Sequence, residues 1–186
     1  MKNLYFFISL IAILGFTTPS DNEEFSLESA NAFYNQLELK KSREILSAML
    51  KNELIDSETK CEVLQKLAFQ DWKYYNDYNS AINKLMLADS IGFYKTDTWK
   101  ILSRIERESG NFQKSLAAAE KSEIFSKLES EKIASRLEYA QTVYDFSLYN
   151  LSNNIPIDTI LISKNSDLLI DILEYDTFQH DNINSR

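Results

Sequence analysis

Three cationic residues on one predicted helix are the clearest candidates for a binding site. Lys100, Arg104 and Arg107 follow one another at spacings of four and three residues, which places them on one face of a helix. Because Trp99 and Leu102 should face the core, this stripe should face solvent. Guanidinium and ammonium groups hold carboxylates through charge-assisted hydrogen bonds. The stripe therefore predicts a site for an acidic peptide, a chain terminus or another carboxylate.

A second, weaker stripe lies on the preceding predicted helix pair. Lys66, Gln70 and Lys73 share one helix face, and we expect the two lysines to extend the same binding site. Both stripes also have a simpler interpretation as solvated charges, which are common on the outer face of an amphipathic helix. In that case, the carboxylates that neutralise the first stripe are predicted to be Asp97, Glu106 and Glu108.

Residues suited to catalysis are scarce. His180 is the only histidine and lies in a polar segment, so neither a Ser/His/Asp nor a Cys/His unit is expected. Metal ligation lacks the usual clusters of histidine and cysteine. We therefore expect a protein without enzymatic activity, cofactor or metal. Cys61, the only cysteine, is expected to be a small buried residue rather than a reactive thiol.

The acidic composition narrows the classes of partner. The chain has 28 acidic and 20 basic residues and a formal net charge of −8. Such a surface repels phosphate groups, so nucleic acid and anionic membranes are disfavoured as partners. We expect a protein or peptide partner, and the cationic stripes favour one that is acidic or bears a free carboxylate.

The first 20 residues have the three-part form of a secretory signal peptide. A basic start is followed by an apolar run over residues 4–16 and by small residues up to Ser20. This run is shorter than the ~20 residues that span a bilayer comfortably. We expect cleavage before Asp21 and export to the bacterial periplasm or the exterior. An uncleaved signal anchor is the alternative, and it would be the chain's only link to a membrane.

Helical periodicity covers nearly all of the remaining chain. With 3 glycines and 2 prolines, the sequence lacks the turn residues that a sandwich or barrel requires. We expect an all-α fold of eight helices over residues 21–175, followed by a flexible tail over residues 176–186. The eighth helix is predicted to start near Pro156 and to end near Tyr175.

The seventh predicted helix has an ambiguous surface. Its inner face is predicted to carry Ile133, Leu137, Ala140 and Tyr144, which recur at helical spacing. Its aromatic residues, however, occupy more than one face. This arrangement indicates either burial on both sides or an exposed patch that a partner uses.

A repeated pattern distinguishes a helical solenoid from an antiparallel helical bundle, which is the alternative fold. Each copy begins with an aromatic residue or leucine, and small or apolar residues follow at fixed spacing. The copies are offset by 39 and 34 residues. They are Leu39-Ser42-Leu46-Met49, Tyr78-Ala81-Leu85-Ala88 and Phe112-Ser115-Ala119-Ser122.

This pattern resembles the tetratricopeptide repeat, a helix-turn-helix unit of about 34 residues. Trp99, Leu102, Gly110 and Phe112 stand at the spacing of the family pattern. The resemblance implies a right-handed α-solenoid of about three to four antiparallel helix pairs, in which the first helix of each pair lines a concave peptide-binding groove. The expected function is that of an exported scaffold or adaptor. The alternative is an extracytoplasmic input domain of a signalling system.

Overall fold

A computed structural model of the chain describes the backbone of residues 25–184 and the side chains of residues 25–172. The predicted signal peptide and the side chain of His180 lie outside this part. Within it, the protein consists of eight α-helices and no strand, so the prediction of an all-α fold is confirmed. The helices are α1 (Leu27–Asn35), α2 (Leu39–Lys51), α3 (Ser57–Tyr75), α4 (Tyr78–Ile91), α5 (Lys95–Glu108), α6 (Phe112–Phe125), α7 (Glu129–Ser152) and α8 (Thr159–Asn184).

Contacts divide the chain into two compact units, one up to Glu53 and one from Leu54 onward. The first unit contains α1 and α2, which pack against each other. Ala30 of α1 and Leu46 of α2 are each 1% exposed. All residues of both predicted cationic stripes belong to the second unit, which contains α3 to α8.

Short turns with specific end residues fix where the helices of the second unit begin and end. The carboxylates of Asp56 and Asp77 accept hydrogen bonds from backbone N–H groups three residues further on, at 2.9 and 3.0 Å. Such N-caps satisfy donors that the first helical turn leaves without a partner. Gly92 and Gly110 follow α4 and α5 with φ of +98° and +77°, a left-handed conformation that glycine adopts without steric cost.

Helices of the second unit pack in the order of the chain, each against the next. In addition, α5 contacts both α3 and α7, which lie two helices away in sequence. The three odd-numbered helices α3, α5 and α7 therefore lie side by side. The even-numbered helices of this unit pack alongside them and support that row.

The small residues of the repeated pattern lie at close helix contacts. Six of the aligned positions in the second unit are at most 1% exposed: Ala81, Leu85, Ala88, Ser115, Ala119 and Ser122. Ser103 of α5 and Ser115 of α6 each donate a hydrogen bond to the other's backbone carbonyl, at 2.9 and 2.8 Å. The Ser115 hydroxyl also lies 2.8 Å from that of Thr142 in α7. Because these hydroxyls are paired, they can be buried without a large desolvation cost.

The prediction for the inner face of α7 is wrong at its large residues. Leu137 and Tyr144 are 47% and 59% exposed. Ala140 is 8% exposed, so the prediction is confirmed at this small residue. The buried face carries mostly polar or aromatic residues: Ser135, Glu138, Tyr139, Thr142 and Val143.

The last helix also differs from the sequence-based prediction. It begins at Thr159, three residues after Pro156, and runs to Asn184 instead of ending near Tyr175. Residues 176–184 of the predicted tail are therefore helical. The sequence contains neither glycine nor proline after Pro156, so it holds no strong signal that ends a helix. None of the helices in the described part of the chain is both long and apolar enough to cross a membrane.

Candidate functional site

The structure brings the two predicted cationic stripes together on neighbouring helices. Lys66 and Lys73 lie on α3, whereas Lys100, Arg104 and Arg107 lie on α5. We call the surface of α3 and α5 that carries these five residues, together with the adjoining surface of α7, the shared face. The exposed fraction of the five side chains ranges from 15% for Arg107 to 41% for Arg104. The stripe on α5 is thus partly covered, because α7 lies along it.

Glu138 of α7 joins two arginines of α5. Arg104 donates from Nε to Oε1 of Glu138 at 2.5 Å, and Nη1 of Arg107 donates to Oε2 at 3.2 Å. Asp145 lies 3.3 Å from Nε of Arg107. Only 10% of the Glu138 side chain is exposed, so its carboxylate depends on the two arginines for compensation. The cluster holds two cations and two anions and links α5 to α7.

A second bridge on the shared face links α3 to α5. Nζ of Lys73 lies 3.0 Å from Oε1 of Glu108. The other carboxylate oxygen of Glu108 accepts a hydrogen bond from the indole N–H of Trp72 at 2.6 Å. The ammonium of Lys73 also stands 3.5 Å from the centroid of the Trp72 ring, a cation–π contact. Trp72 itself is 3% exposed and belongs to the core.

The remaining two cations pair within their own helices. Lys100 contacts Asp97 at 2.6 Å, and Lys66 contacts Glu62 at 3.4 Å. These are pairs three and four residues apart, which add little to stability when exposed. The simpler interpretation of the α5 stripe therefore holds for Lys100 and Asp97. The two arginines pair with α7 instead of Glu106 and Glu108.

Sequence reasoning missed Glu138 and Asp145 as partners of the stripe. Arg104 and Glu138 are 34 residues apart, and Lys73 and Glu108 are 35 apart. These separations equal about one repeat of the pattern, which is the distance along the chain between helices that lie side by side. The repeat length was therefore the signal that could have identified both bridges.

A cleft of about 200 Å³ on the α5–α6 pair is a weaker candidate. Trp99 and Leu102 line it, together with Glu106, Lys114 and Lys121. Its volume is below the ~300 Å³ at which small-molecule pockets usually begin. The ammonium of Lys121 lies 4.0 Å from the Trp99 ring centroid, so one wall is already covered.

The lone cysteine is buried, as predicted. Cys61 is 0% exposed, and its thiol lies 3.1 Å from the backbone carbonyl of Phe93, to which it donates a hydrogen bond. Burial raises the pKa of the Cys61 thiol, which disfavours the reactive thiolate. Among the residues with described side chains, no group of three or more His, Cys, Asp or Glu could hold a metal ion.

Comparisons with known proteins do not assign the chain to a family. No family model matches the sequence, and no curated protein matches it. The class that the structure defines is an all-α protein whose consecutive helices pack in pairs, with three helices of the second unit side by side.

Proposed function

We propose that this protein is a non-enzymatic scaffold of tetratricopeptide type that binds a peptide segment along the shared face. The pairs α3–α4, α5–α6 and α7–α8 would be three units of the array. The contacts of α5 with both α3 and α7 support this arrangement, since the first helices of successive pairs adjoin in such arrays. Burial of the aligned small residues supports it as well. Residues 1–20 would direct its export.

The geometry of Arg104 carries the proposal. Glu138 fixes the guanidinium from the α7 side, while 41% of the side chain remains exposed. A guanidinium has five N–H donors, and Glu138 occupies only one edge of the group. An arginine held in this way has lost part of its rotamer freedom before a ligand binds, which lowers the entropic cost of binding.

The charge balance of the shared face limits the ligand. The cluster around Glu138 is neutral as a whole, so its attraction for a ligand carboxylate is limited to the exposed edge of Arg104. Lys73 and Lys100 offer further partly exposed ammonium groups on the same face. We therefore propose a peptide with one or two carboxylates, bound weakly and more tightly at low salt, because salt screens exposed charges.

Fluorescence anisotropy with a labelled glutamate-rich peptide that has a free C-terminal carboxylate would test the site. The variant Arg104→Gln should weaken binding roughly tenfold, the range expected for one charge-assisted hydrogen bond. Glutamine is preferred to glutamate because a carboxylate at position 104 would adjoin Glu138 and disturb the fold.

Arg136→Gln is the matched control. Arg136 of α7 also makes an arginine–glutamate bridge, to Glu123 of α6 at 2.7 Å, but it lies away from the shared face. This variant should bind the peptide as the wild type does. Equal loss in both variants, or no binding by the wild type at low salt, would contradict the proposed site.

A further inference from the structure

An exposed apolar stripe runs along α7 on the side that its neighbouring helices leave uncovered. Its four large side chains are between 47% and 59% exposed, while Ala140, at the edge of the stripe, is only 8% exposed. We call this surface the α7 stripe. It consists of Leu137, Ala140, Tyr144, Leu148 and Leu151. From Leu137 to Leu151 a helix rises about 21 Å, so this is a continuous strip and not a scattered set of apolar residues.

The order of residues in the α7 stripe is symmetric about Tyr144. The successive spacings are three, four, four and three residues. If a second α7 lies antiparallel against the first, Leu137 faces Leu151 of the other copy, and Ala140 faces Leu148. Tyr144 then faces its own counterpart. Each small residue meets a large one, and every large side chain is covered by the same surface of the second copy.

The charges around the stripe also suit a second copy. The chain carries a net charge of −8, so two copies repel each other over most of their surfaces. The stripe has no charge, and the residues of α7 beside it are uncharged as well: Ile133, Ala134, Gln141, Ser147 and Ser152. Of the charged residues along this stretch of α7, Arg136 and Glu138 are turned to other helices, whereas Asp145 also accepts a hydrogen bond from Gln141 beside the stripe. Arg136 pairs with Glu123, while Glu138 and Asp145 pair with arginines of α5.

We propose that the α7 stripe is the interface of a two-fold symmetric homodimer, with the two α7 helices antiparallel and Tyr144 at the axis. Such an interface is the same patch on both copies and closes on itself, so it forms a dimer and not a filament. The phenol groups at the axis can cover apolar surface while their hydroxyls stay in water.

The size of the stripe predicts a weak dimer. A standard protein–protein interface buries about 1,600 Å² in total, and one exposed helix face of about four turns supplies less. We expect a dissociation constant on the order of 10 µM. Raising the salt concentration should leave the dimer unchanged or strengthen it, because salt screens repulsion between two acidic copies. Peptide binding at the shared face should respond in the opposite direction, so the two proposals can fail separately.

Sedimentation velocity of the full chain at concentrations from roughly 1 to 200 µM would test the dimer. The wild type should shift from monomer to dimer over this range. The double variant Leu137→Glu/Leu151→Glu places two pairs of like charges across the interface and should weaken the dimer at least a hundredfold. Ile124→Glu/Leu128→Glu adds the same charge at residues that are 76% and 61% exposed but outside the stripe, and should dimerise normally.

A charge-swapped variant tests the antiparallel geometry. In Leu137→Lys/Leu151→Glu, each introduced lysine faces an introduced glutamate of the other copy, so the dimer should persist within about tenfold of the wild type and become weaker with salt. In a parallel pairing the same variant would set like charges against each other. Thermal melting by circular dichroism would show that each variant is folded.

Three results would overturn the proposal. One is a wild-type chain that stays monomeric over the whole range. A second is a dimer that Leu137→Glu/Leu151→Glu leaves intact, and the third is a charge-swapped variant that is folded and monomeric. A monomeric chain that floats with vesicles of zwitterionic phosphatidylcholine would assign the stripe to a lipid surface instead.

Discussion

The helices α5 and α7 lie side by side, yet they place their apolar residues differently. In α5, Trp99 and Leu102 are 7% and 5% exposed, as their spacing predicts. In α7, Leu137 and Tyr144 have equally regular spacing and are 47% and 59% exposed. The two helices differ in how many neighbours cover them. Helix α5 contacts α3, α4, α6 and α7, whereas α7 contacts α5, α6 and α8. Apolar periodicity thus identifies a face that favours burial, without identifying what buries it.

The buried side of α7 shows, conversely, that a face without apolar periodicity can be covered by other helices. It carries polar residues, and three of them, Ser135, Glu138 and Thr142, have partners on neighbouring helices. The hydroxyl of Ser135 lies 2.8 Å from that of Ser122, and Thr142 is likewise 2.8 Å from Ser115. Glu138 is held by the arginines of α5. Polar groups can be buried when such hydrogen bonds replace those to water.

The same leucine-to-alanine substitution in α5 and in α7 would measure this difference in burial directly. Leu102→Ala should lower the free energy of unfolding by about 3 kcal/mol, because it opens a cavity in a packed cluster. Leu137→Ala should lower it by less than about 1 kcal/mol at concentrations where the chain is monomeric, since half of that side chain is already in water. Urea denaturation at low micromolar concentration would compare them. Equal losses would show that the α7 stripe is covered within one copy.

The cluster on the buried side of α7 supplies a second comparison. Glu138→Gln should destabilise the protein by about 2 kcal/mol, because two partly buried arginines lose their shared carboxylate. That figure is below the usual range for buried pairs because Arg104 remains 41% exposed to solvent. Glu123→Gln, at the more exposed bridge to Arg136, should cost under about 1 kcal/mol. Thermal melts of both variants would check the order, and a larger effect at Glu123 would contradict it.

The smallest expected effect concerns the link between α5 and α3. The hydroxyl of Tyr94 donates to Glu58 at 2.6 Å, and this hydrogen bond raises the pKa of Tyr94 to about 12. Since the folded pKa lies above the usual 10.0, the bond stabilises the fold below pH 10 and is lost as the pH rises towards 12. Tyr94→Phe should therefore be slightly less stable than the wild type near neutral pH, and the difference should disappear in alkali.

Spectrophotometric titration of the tyrosines would test that assignment. The wild type should show a phenol that ionises near pH 12, and Tyr94→Phe should lack it. Tyr149→Phe, a substitution at another half-exposed tyrosine, should retain it. If Tyr94→Phe left the titration curve above pH 10 unchanged except in amplitude, the bond to Glu58 would not be holding the phenol protonated.

Local features of the fold can be predicted from the sequence, whereas contacts between distant residues cannot. The caps at Asp56 and Asp77 and the left-handed conformation of Gly92 each depend on backbone groups within a few residues, so local sequence is enough to specify them. Ala81 and Ser115, two small residues of the repeated pattern, are buried where two helices approach closely. The candidate cations were found, but their partners on α7 were not.

By itself, the sequence determined an all-α protein and the repeated positions that carry the small residues at which its helices pack. These features follow from hydrogen bonds and steric limits that act over one or two helical turns. Tertiary structure decided which face of α7 is covered and which carboxylates hold Arg104 and Arg107. Burial and ion pairing depend on which residues meet across neighbouring helices, and for Arg104 and Glu138 these lie 34 positions apart. The residues next to Arg104 and Glu138 in the sequence do not specify this ion pair, because it forms only when α5 and α7 pack side by side.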